Sequence, residues 1–293
     1  MKQHRYGLMI AGAGVLWGLI SIFFKRLSAA GLDGFQAVAV RFGISALLLL
    51  AWLAVRNPAL LRIHRPVHLL YFVGTGMLSL AFFNFCYYTA IDRAGVAVAA
   101  LLLYTAPAFV IVFSRVLFGE AITRRKLAAL VLTILGCACI SGAFGGALTL
   151  SRPALLYGLG AGLGYALYSI FGKLALRDYA PETVTVYSFV FAALGLLPLS
   201  HPAVLFARLT EPAVLLPGIG IALLCTVGAY LLYTAGLTHV EAGQASILAT
   251  VEPVVAALLG FLAFHESVTA AKLAGIALIL GAIVLASLPD RKP

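Results

Sequence analysis

Two ionisable residues lie well inside long apolar stretches of the sequence, Arg41 and Glu252. Each stretch is long enough to cross a membrane, where a charged side chain is costly and usually functional. Glu252 precedes Pro253, whose ring removes a helical hydrogen bond. Burial favours the neutral form of a carboxyl group. Glu252 is therefore a candidate proton-coupling group, with a neutral acid that satisfies a carbonyl of the broken helix as the alternative.

Arg41 lies closer to the end of its stretch, about seven residues from the start, and a long side chain can reach the membrane surface from that depth. We expect a structural role for Arg41, either as a side chain that extends toward the outer surface or in a salt bridge.

A second group of residues, polar and aromatic, is suited to binding a small molecule. Trp17 and Ser21 lie four residues apart, on one helix face with Gly14 and Gly18. Trp17 is about 11 residues into its span, near mid-membrane. An unpartnered indole N–H or hydroxyl is costly there, so these side chains should line a substrate cavity, with core packing of Trp17 as the alternative. The other residues assigned to this cavity are Asn84, Tyr88, Tyr104, Tyr165, Tyr168, Ser169 and Tyr230.

A cavity with aromatic walls and scattered hydrogen-bond donors suits a neutral or zwitterionic metabolite with an apolar side chain. A dianionic sugar phosphate would need several cations at membrane depth, and only Arg41 qualifies. An aromatic organic cation, bound by the aromatic rings and Glu252, is the alternative substrate class.

Other chemistries find little support in the sequence. His265-Glu266 is followed by Ser-Val-Thr, which is not the zinc-protease motif. The four cysteines lie in apolar stretches without metal or redox spacing: Cys86, Cys137, Cys139 and Cys225. We therefore expect no enzymatic activity, no metal and no cofactor. A channel would need a filter, usually built by oligomer symmetry. We expect a monomer or weak dimer.

Membrane spans must position all of these residues. The chain has 293 residues, 63% hydrophobic and 10% charged, whereas a soluble domain is roughly 45–50% apolar and about 25% charged. The net charge of +10 comes from basic residues too sparse to bind nucleic acid. The partners implied are a lipid bilayer and a small-molecule substrate. The spans are predicted at 6–24, 34–55, 67–91, 95–114, 125–147, 153–173, 181–199, 212–238, 242–264 and 270–288.

Charge asymmetry predicts the orientation. With the N-terminus inside, the inner segments hold 13 Lys and Arg residues and the outer ones hold 6. The side richer in basic residues is usually cytoplasmic. Both termini are therefore predicted to be cytoplasmic.

The sequence contains an internal repeat. Residues 11–25 (AGAGVLWGLISIFFK) and 159–173 (LGAGLGYALYSIFGK) share eight of 15 positions at an offset of 148. A second block, at an offset of 146, pairs Pro107 with Pro253, Glu120 with Glu266, Thr123 with Thr269 and Lys126 with Lys272. We predict two homologous halves, 1–147 and 148–293, of five spans each. An odd number of spans inverts the second half, an arrangement typical of alternating-access transporters.

The paired glutamates have a simpler interpretation than the cavity residues. Glu120 and Glu266 each lie three residues before a threonine that can cap the following helix, where negative charge meets the positive end of the helix dipole. We expect both to brace loops. Pro107 and Pro253 are likewise assigned a structural role, as the residues that interrupt the fourth and ninth helices.

Together these features resemble the drug/metabolite transporter superfamily, in particular its ten-helix EamA-type members. The resemblance rests on GAGVLWG at 12–18, Arg41-Phe42, and the loops 118–123 and 264–269. It covers nearly the whole chain, with His265 standing where a glycine is expected. It implies an all-α membrane protein and a secondary transporter of the bacterial inner membrane. By similarity to one branch, it would export aromatic or neutral amino acids or related metabolites by alternating access. Multidrug-type efflux of aromatic organic cations is the alternative.

Overall fold

A computed structural model of the protein describes residues 2–142 and 151–288. Throughout those two ranges, each regular element is a helix. A helix satisfies its backbone hydrogen bonds internally, as a hydrocarbon environment requires. The first half contains α1 (Lys2–Gly18), α2 (Ile20–Ala29), α3 (Gly34–Arg56), α4 (Leu69–Val73), α5 (Phe82–Leu103), α6 (Ala106–Phe118) and α7 (Arg124–Ile140).

The second half continues the same pattern. It contains α8 (Arg152–Ala175), α9 (Pro181–Leu196), α10 (Pro202–Arg208), α11 (Pro212–Gly220), α12 (Ala229–Leu237), α13 (Ala242–Leu248), α14 (Val251–Phe264) and α15 (Ala270–Ser287). The predicted boundary between the halves, at 147/148, lies outside the described residues.

Eight helical runs of the described chain are long and apolar enough to cross a membrane, which confirms a helical membrane protein. They are His4–Ala29, Gly34–Arg56, Pro66–Leu103, Arg152–Ala175, Pro181–Ser200, Pro212–Leu237, Ala242–Phe264 and Ala270–Ser287. A shorter apolar helix, Ala106–Phe118, follows the third run. The run Pro66–Leu103 covers the third predicted span and the start of the fourth. The chain bends between these two parts at Gly95, whose φ is positive at 79°.

Irregular helix segments occur at matching places in the two halves. Wide π-helical turns span Gly74–Ala81 and Ile221–Gly228. Helices also break between α5 and α6 and between α13 and α14, shortly before Pro107 and Pro253. Proline cannot donate the hydrogen bond that would continue the helix.

Two glycines let other helices cross these breaks closely. A Cβ atom on Gly14 would lie 2.6 Å from the carbonyl oxygen of Ala249, and one on Gly162 would lie 2.8 Å from Thr105 Oγ1. Small residues allow such approaches between membrane helices. Helix α1 therefore packs across the break before α14, and α8 packs across the break before α6.

The loop glycine expected from the family resemblance is replaced without changing the local backbone. Gly119 has φ 71°, and His265, at the matching position, has φ 53°. A residue with a Cβ atom is strained in this left-handed region. The two loops therefore share one conformation, and the second keeps it at an energetic cost.

Candidate substrate site

An aromatic cluster lies where α1, α8 and α12 meet. Trp17 comes from α1, and its indole ring packs edge-on against Tyr230 of α12, with ring centroids 5.0 Å apart. Tyr165 of α8 lies 6.1 Å from it, and Tyr233 of α12 lies 5.3 Å away. Residues four apart in a helix share a face, so Tyr165 and Ser169 lie on the same face of α8. The small cavity that the rings enclose is lined by Trp17, Leu80, Tyr165, Tyr168, Ser169, Tyr230 and Tyr233.

The volume of this cavity is about 10 Å³. That is roughly the space needed for one water molecule. Any larger ligand must displace side chains or separate the helices that carry them.

Most hydroxyl groups around the cavity are already paired. The Ser169 hydroxyl bonds to the Tyr233 hydroxyl at 2.7 Å, and the Tyr168 hydroxyl bonds to Thr234 Oγ1 at 2.8 Å. These bonds hold α8 against α12 and fix the positions of two phenol rings.

Two buried polar atoms in this region have no hydrogen-bond partner among the described residues, Trp17 Nε1 and Ser21 Oγ. Leaving a buried donor unpaired costs about 1–3 kcal/mol. Trp17 is only 5% exposed, so bulk water does not relieve this cost. Trp17 Nε1, on α1, borders the cavity and is available to a bound ligand, whereas Ser21 is on α2 and is not among the residues that line the cavity.

Glu252 lies next to the aromatic cluster, in the first turn of α14. The Tyr165 hydroxyl donates to Glu252 Oε2 at 3.2 Å, and the Tyr104 side chain lies near this carboxyl group. A phenol hydroxyl is thus the hydrogen-bond partner of Glu252 that the described residues show.

Arg41 does not extend to the surface as expected. It is 5% exposed, and its Nε donates to Thr226 Oγ1 at 2.8 Å. Its NH2 group donates to the carbonyl oxygen of Cys225 at 3.1 Å. Both acceptors lie in the π-helical turn Ile221–Gly228, where the wider turn disturbs the regular bonding of the helix. Within the described ranges no carboxylate pairs with Arg41.

Four of the residues assigned to the cavity from the sequence are not among those that line it: Ser21, Asn84, Tyr88 and Tyr104. Tyr88 stacks on Phe24 with ring centroids 6.2 Å apart and packs against Phe35. Asn84 is buried, but its side chain donates to the carbonyl oxygen of Leu80 in its own helix at 2.8 Å. Helical spacing alone did not show which face of this helix meets the centre.

Tyr233 lines the cavity and was missed by sequence reasoning. The signal was present, because Tyr233-Thr234-Ala235 repeats Tyr88-Thr89-Ala90. Of this matched pair, Tyr233 lies in the aromatic cluster, whereas Tyr88 lies beside α2 and α3.

The glutamate in the first of the paired loops makes a stronger contact than expected. Glu120 accepts the backbone N–H groups of Ala242 at 2.8 Å and Gly243 at 3.1 Å, and Lys173 Nζ lies 3.1 Å away. Burial alone would raise the pKa of Glu120, but the two N–H groups and the lysine outweigh it and hold this pKa below its ordinary value.

The threonine caps are present, but the carboxylate of Glu120 reaches a different helix. Thr123 caps α7 through the N–H of Lys126, and Thr269 caps α15 through that of Lys272. The expected contact of Glu120 with the start of α7 is replaced by a contact with the start of α13. Pro107 and Pro253 are buried in the first turns of α6 and α14.

No group of three or more His, Cys, Asp or Glu side chains in the described part of the chain is placed to hold a metal ion. The buried polar groups instead form a site suited to an organic ligand. The architecture and this site define a polytopic helical transporter.

The family follows from comparison with known proteins. The model of the EamA-like transporter family matches residues 5–142 and, a second time, residues 152–288. The chain therefore belongs to the EamA-like transporter family. It is a multi-pass protein of the bacterial inner membrane.

Several relatives extend over nearly the whole chain. An uncharacterized transporter of Archaeoglobus fulgidus is 32% identical over 96% of both chains. The threonine/homoserine exporter RhtA of Escherichia coli strain K12 is 28% identical over 96% of this chain and 88% of its own. A crystal structure with 22% identity superposes with a TM-score of 0.78 over 96% of each chain, which shows the same fold.

Proposed function

We propose that the protein is a secondary transporter that exports neutral or aromatic amino acids from the cytoplasm. One observation carries the proposal: an unpaired donor on α1, the indole N–H of Trp17, lies in an aromatic site beside a buried carboxyl group. An amino acid zwitterion presents both a cation and an anion, so it suits a site with groups of both kinds.

The two ends of the substrate have separate partners in this proposal. The ammonium group binds Glu252 and the phenol oxygens of Tyr165 and Tyr104, within reach of the aromatic faces. The carboxylate accepts the N–H of Trp17 and the hydroxyl of Ser21. The guanidinium of Arg41 already bonds to the π-helical turn. Arg41 therefore stabilises the carboxylate of the substrate through its charge and not by a direct hydrogen bond.

The architecture proposed for transport is alternating access between two inverted halves, 1–147 and 148–293, with ten helices and both termini in the cytoplasm. The double match of the family model and the matching helix breaks support this arrangement. The name of the threonine/homoserine exporter supports an amino acid as the cargo. Because the cavity holds about one water molecule, substrate entry requires the helices around it to move.

Coupling to protons is assigned to Glu252. A carboxyl group that is enclosed by phenols and alternately exposed to either side can carry a proton against the flow of substrate. The ammonium group of the substrate and the proton then compete for the same oxygen atoms.

A second substrate class has one observation in its favour. Glu252 sits beside Tyr165 and Tyr104, and carboxylate with aromatic faces is the arrangement that binds organic cations. Such a substrate would use Glu252 but not the Trp17 N–H, since it has no carboxylate.

Counterflow in proteoliposomes tests the proposal. Vesicles loaded with unlabelled threonine or phenylalanine should take up the labelled amino acid, since a carrier exchanges substrate across a closed gate. A cationic dye serves as the competing substrate. Exchange of the dye without exchange of any amino acid would refute the proposed cargo, and a conductive leak without exchange would refute the carrier.

A further inference from the structure

A glutamate lies at each end of the helical run Ala242–Phe264. Glu120 bonds to the first two residues of this run, and Glu266 follows its last residue by two positions. A run of 23 residues spans about 35 Å at 1.5 Å per residue. The two glutamates are therefore at opposite faces of the protein.

The internal repeat relates the surroundings of these glutamates residue by residue. Extended without a gap from the paired prolines, at the offset of 146, it matches Glu120 with Glu266, Phe118 with Phe264, Ala242 with Val96 and Gly243 with Ala97. The other block, at the offset of 148, matches Lys173 with Lys25. We call Glu120, Lys173, Ala242 and Gly243 the first gate. Glu266, Lys25, Val96 and Ala97 form the second gate.

The first gate is assembled. Glu120 accepts hydrogen bonds from the backbone N–H groups of Ala242 and Gly243 and pairs with the ammonium group of Lys173. The side chain of Glu120 is 7% exposed. Ala242 and Gly243 are buried. Beside them, Lys126 of α7 pairs with Glu241, so the start of α13 is held by two ion pairs on one face.

The second gate has the same parts but is not assembled. Glu266 pairs with Lys272 at 3.0 Å instead, and its side chain is 49% exposed. Val96 is 61% exposed, so the backbone that would meet Glu266 lies open. The repeat pairs the glutamate and the lysine of the two gates, whereas the contacts of the two glutamates differ.

Lys25 is already near its place in the second gate. Its Nζ lies 3.2 Å from the ring centroid of Phe264, just as Lys173 lies over the matching Phe118 at 5.9 Å. The remaining step is movement of the segment that starts at Val96. The residue before it, Gly95, has φ 79° and no atom within 4 Å of a would-be Cβ, so this bend has both the backbone freedom and the space to change.

We propose that Glu120 and Glu266 are positioning residues of two gates that close in alternation. In the state described here, Glu120 closes its face of the protein and Glu266 leaves the opposite face open. In the other state, Glu120 releases Ala242 and Gly243, and Glu266 leaves Lys272 to accept Val96 and Ala97 with Lys25 beside it. This inference rests on the alternating access proposed above and adds the residues that hold each state.

Chemical labelling of the full chain in proteoliposomes tests the gates without any substrate. V96C and A242C report on the second and first gates, measured with N-ethylmaleimide against the parent chain, whose four cysteines set the background. In the otherwise unchanged protein, V96C should react and A242C should be protected. E120Q should reverse this order, with a change of about tenfold in each rate, since it removes charge-assisted hydrogen bonds from one state only.

The matched control is E266Q, which should leave V96C reactive because that gate is open already. E120D retains the charge and should stay close to the parent. K173Q removes the charge that pairs with Glu120 in the first gate, so it gives a second test if E120Q does not fold. Loss of folding is checked by gel filtration. Unchanged labelling in folded E120Q and K173Q, or the same labelling change in E266Q as in E120Q, would overturn the proposal.

These results separate the gates from the cargo. Amino acid counterflow with unchanged labelling in E120Q overturns the gates and leaves the substrate assignment standing. Reversed labelling without amino acid counterflow supports the gates and overturns the substrate assignment.

Discussion

Substitution of Trp17 by phenylalanine isolates the donor on which the proposed substrate site depends. Phenylalanine keeps an aromatic ring against Tyr230 and removes only Nε1–H and part of the ring volume. A hydrogen bond to a charged group contributes about 1.5–3 kcal/mol. Its loss should therefore raise the KM for an amino acid about 10- to 100-fold.

The effect on stability should be smaller and can have the opposite sign, because Nε1 has no partner in the described protein. Removing an unpaired buried donor recovers up to about 1–3 kcal/mol, and the lost ring volume offsets part of that. We expect the Tm in detergent to fall little or to rise, while KM rises.

The assay measures counterflow KM and Tm on the same preparations. Y187F is the matched control, since it removes a hydroxyl outside the substrate cavity, which donates to the carbonyl oxygen of Leu61, and should lower Tm with little effect on KM. An unchanged KM in W17F, or equal KM changes in both variants, would refute the role assigned to the Trp17 N–H.

Four further predictions follow from the same contacts. E252Q should abolish the response of uptake to an imposed pH gradient while counterflow persists, and an unchanged gradient response would refute coupling. R41A should lower the free energy of unfolding by about 3–6 kcal/mol through loss of two charged hydrogen bonds of about 1.5–3 kcal/mol each, measured by thermal unfolding in detergent. G14V should reduce Tm strongly, because its Cβ would lie 2.6 Å from a carbonyl oxygen, whereas G43A, with no atom within 4 Å, should not. Acid should open the first gate only below the ordinary carboxyl range. The pKa of Glu120 is lower in the folded protein than in the unfolded chain, where it is near 4.5. The ionised carboxylate therefore stabilises the folded protein above that unfolded pKa, and this stabilisation is lost as the pH falls through the lower folded pKa. A242C should thus stay protected at pH 5, and exposure at that pH would contradict this assignment.

Much of the architecture could be predicted because it depends on local composition. Apolar length marks the spans, and Pro107 and Pro253 mark the breaks before α6 and α14. Thr123 and Thr269 mark the starts of α7 and α15. Each of these signals affects only residues close to it in the chain, so it can be recognised directly in the sequence.

The composition of the site was less predictable, since it depends on which helix faces meet. Tyr88 and Tyr233 occupy matching positions in the repeat, yet only Tyr233 lines the cavity. Arg41 was expected to reach the surface or to form a salt bridge, but the π-helical turn of a distant helix supplies buried acceptors for it. The partners of a long polar side chain come from elsewhere in the chain, and no local pattern specifies them.

The two glutamate loops show most clearly what each level determined. The sequence by itself determined that a glutamate, a lysine and an aromatic residue recur at both loops, because the repeat pairs them. Only the tertiary structure decided that their contacts differ, with Glu120 buried against α13 and Glu266 half-exposed beside Lys272. The physical reason is that the partners of each glutamate come from other helices, whose packing no local pattern specifies.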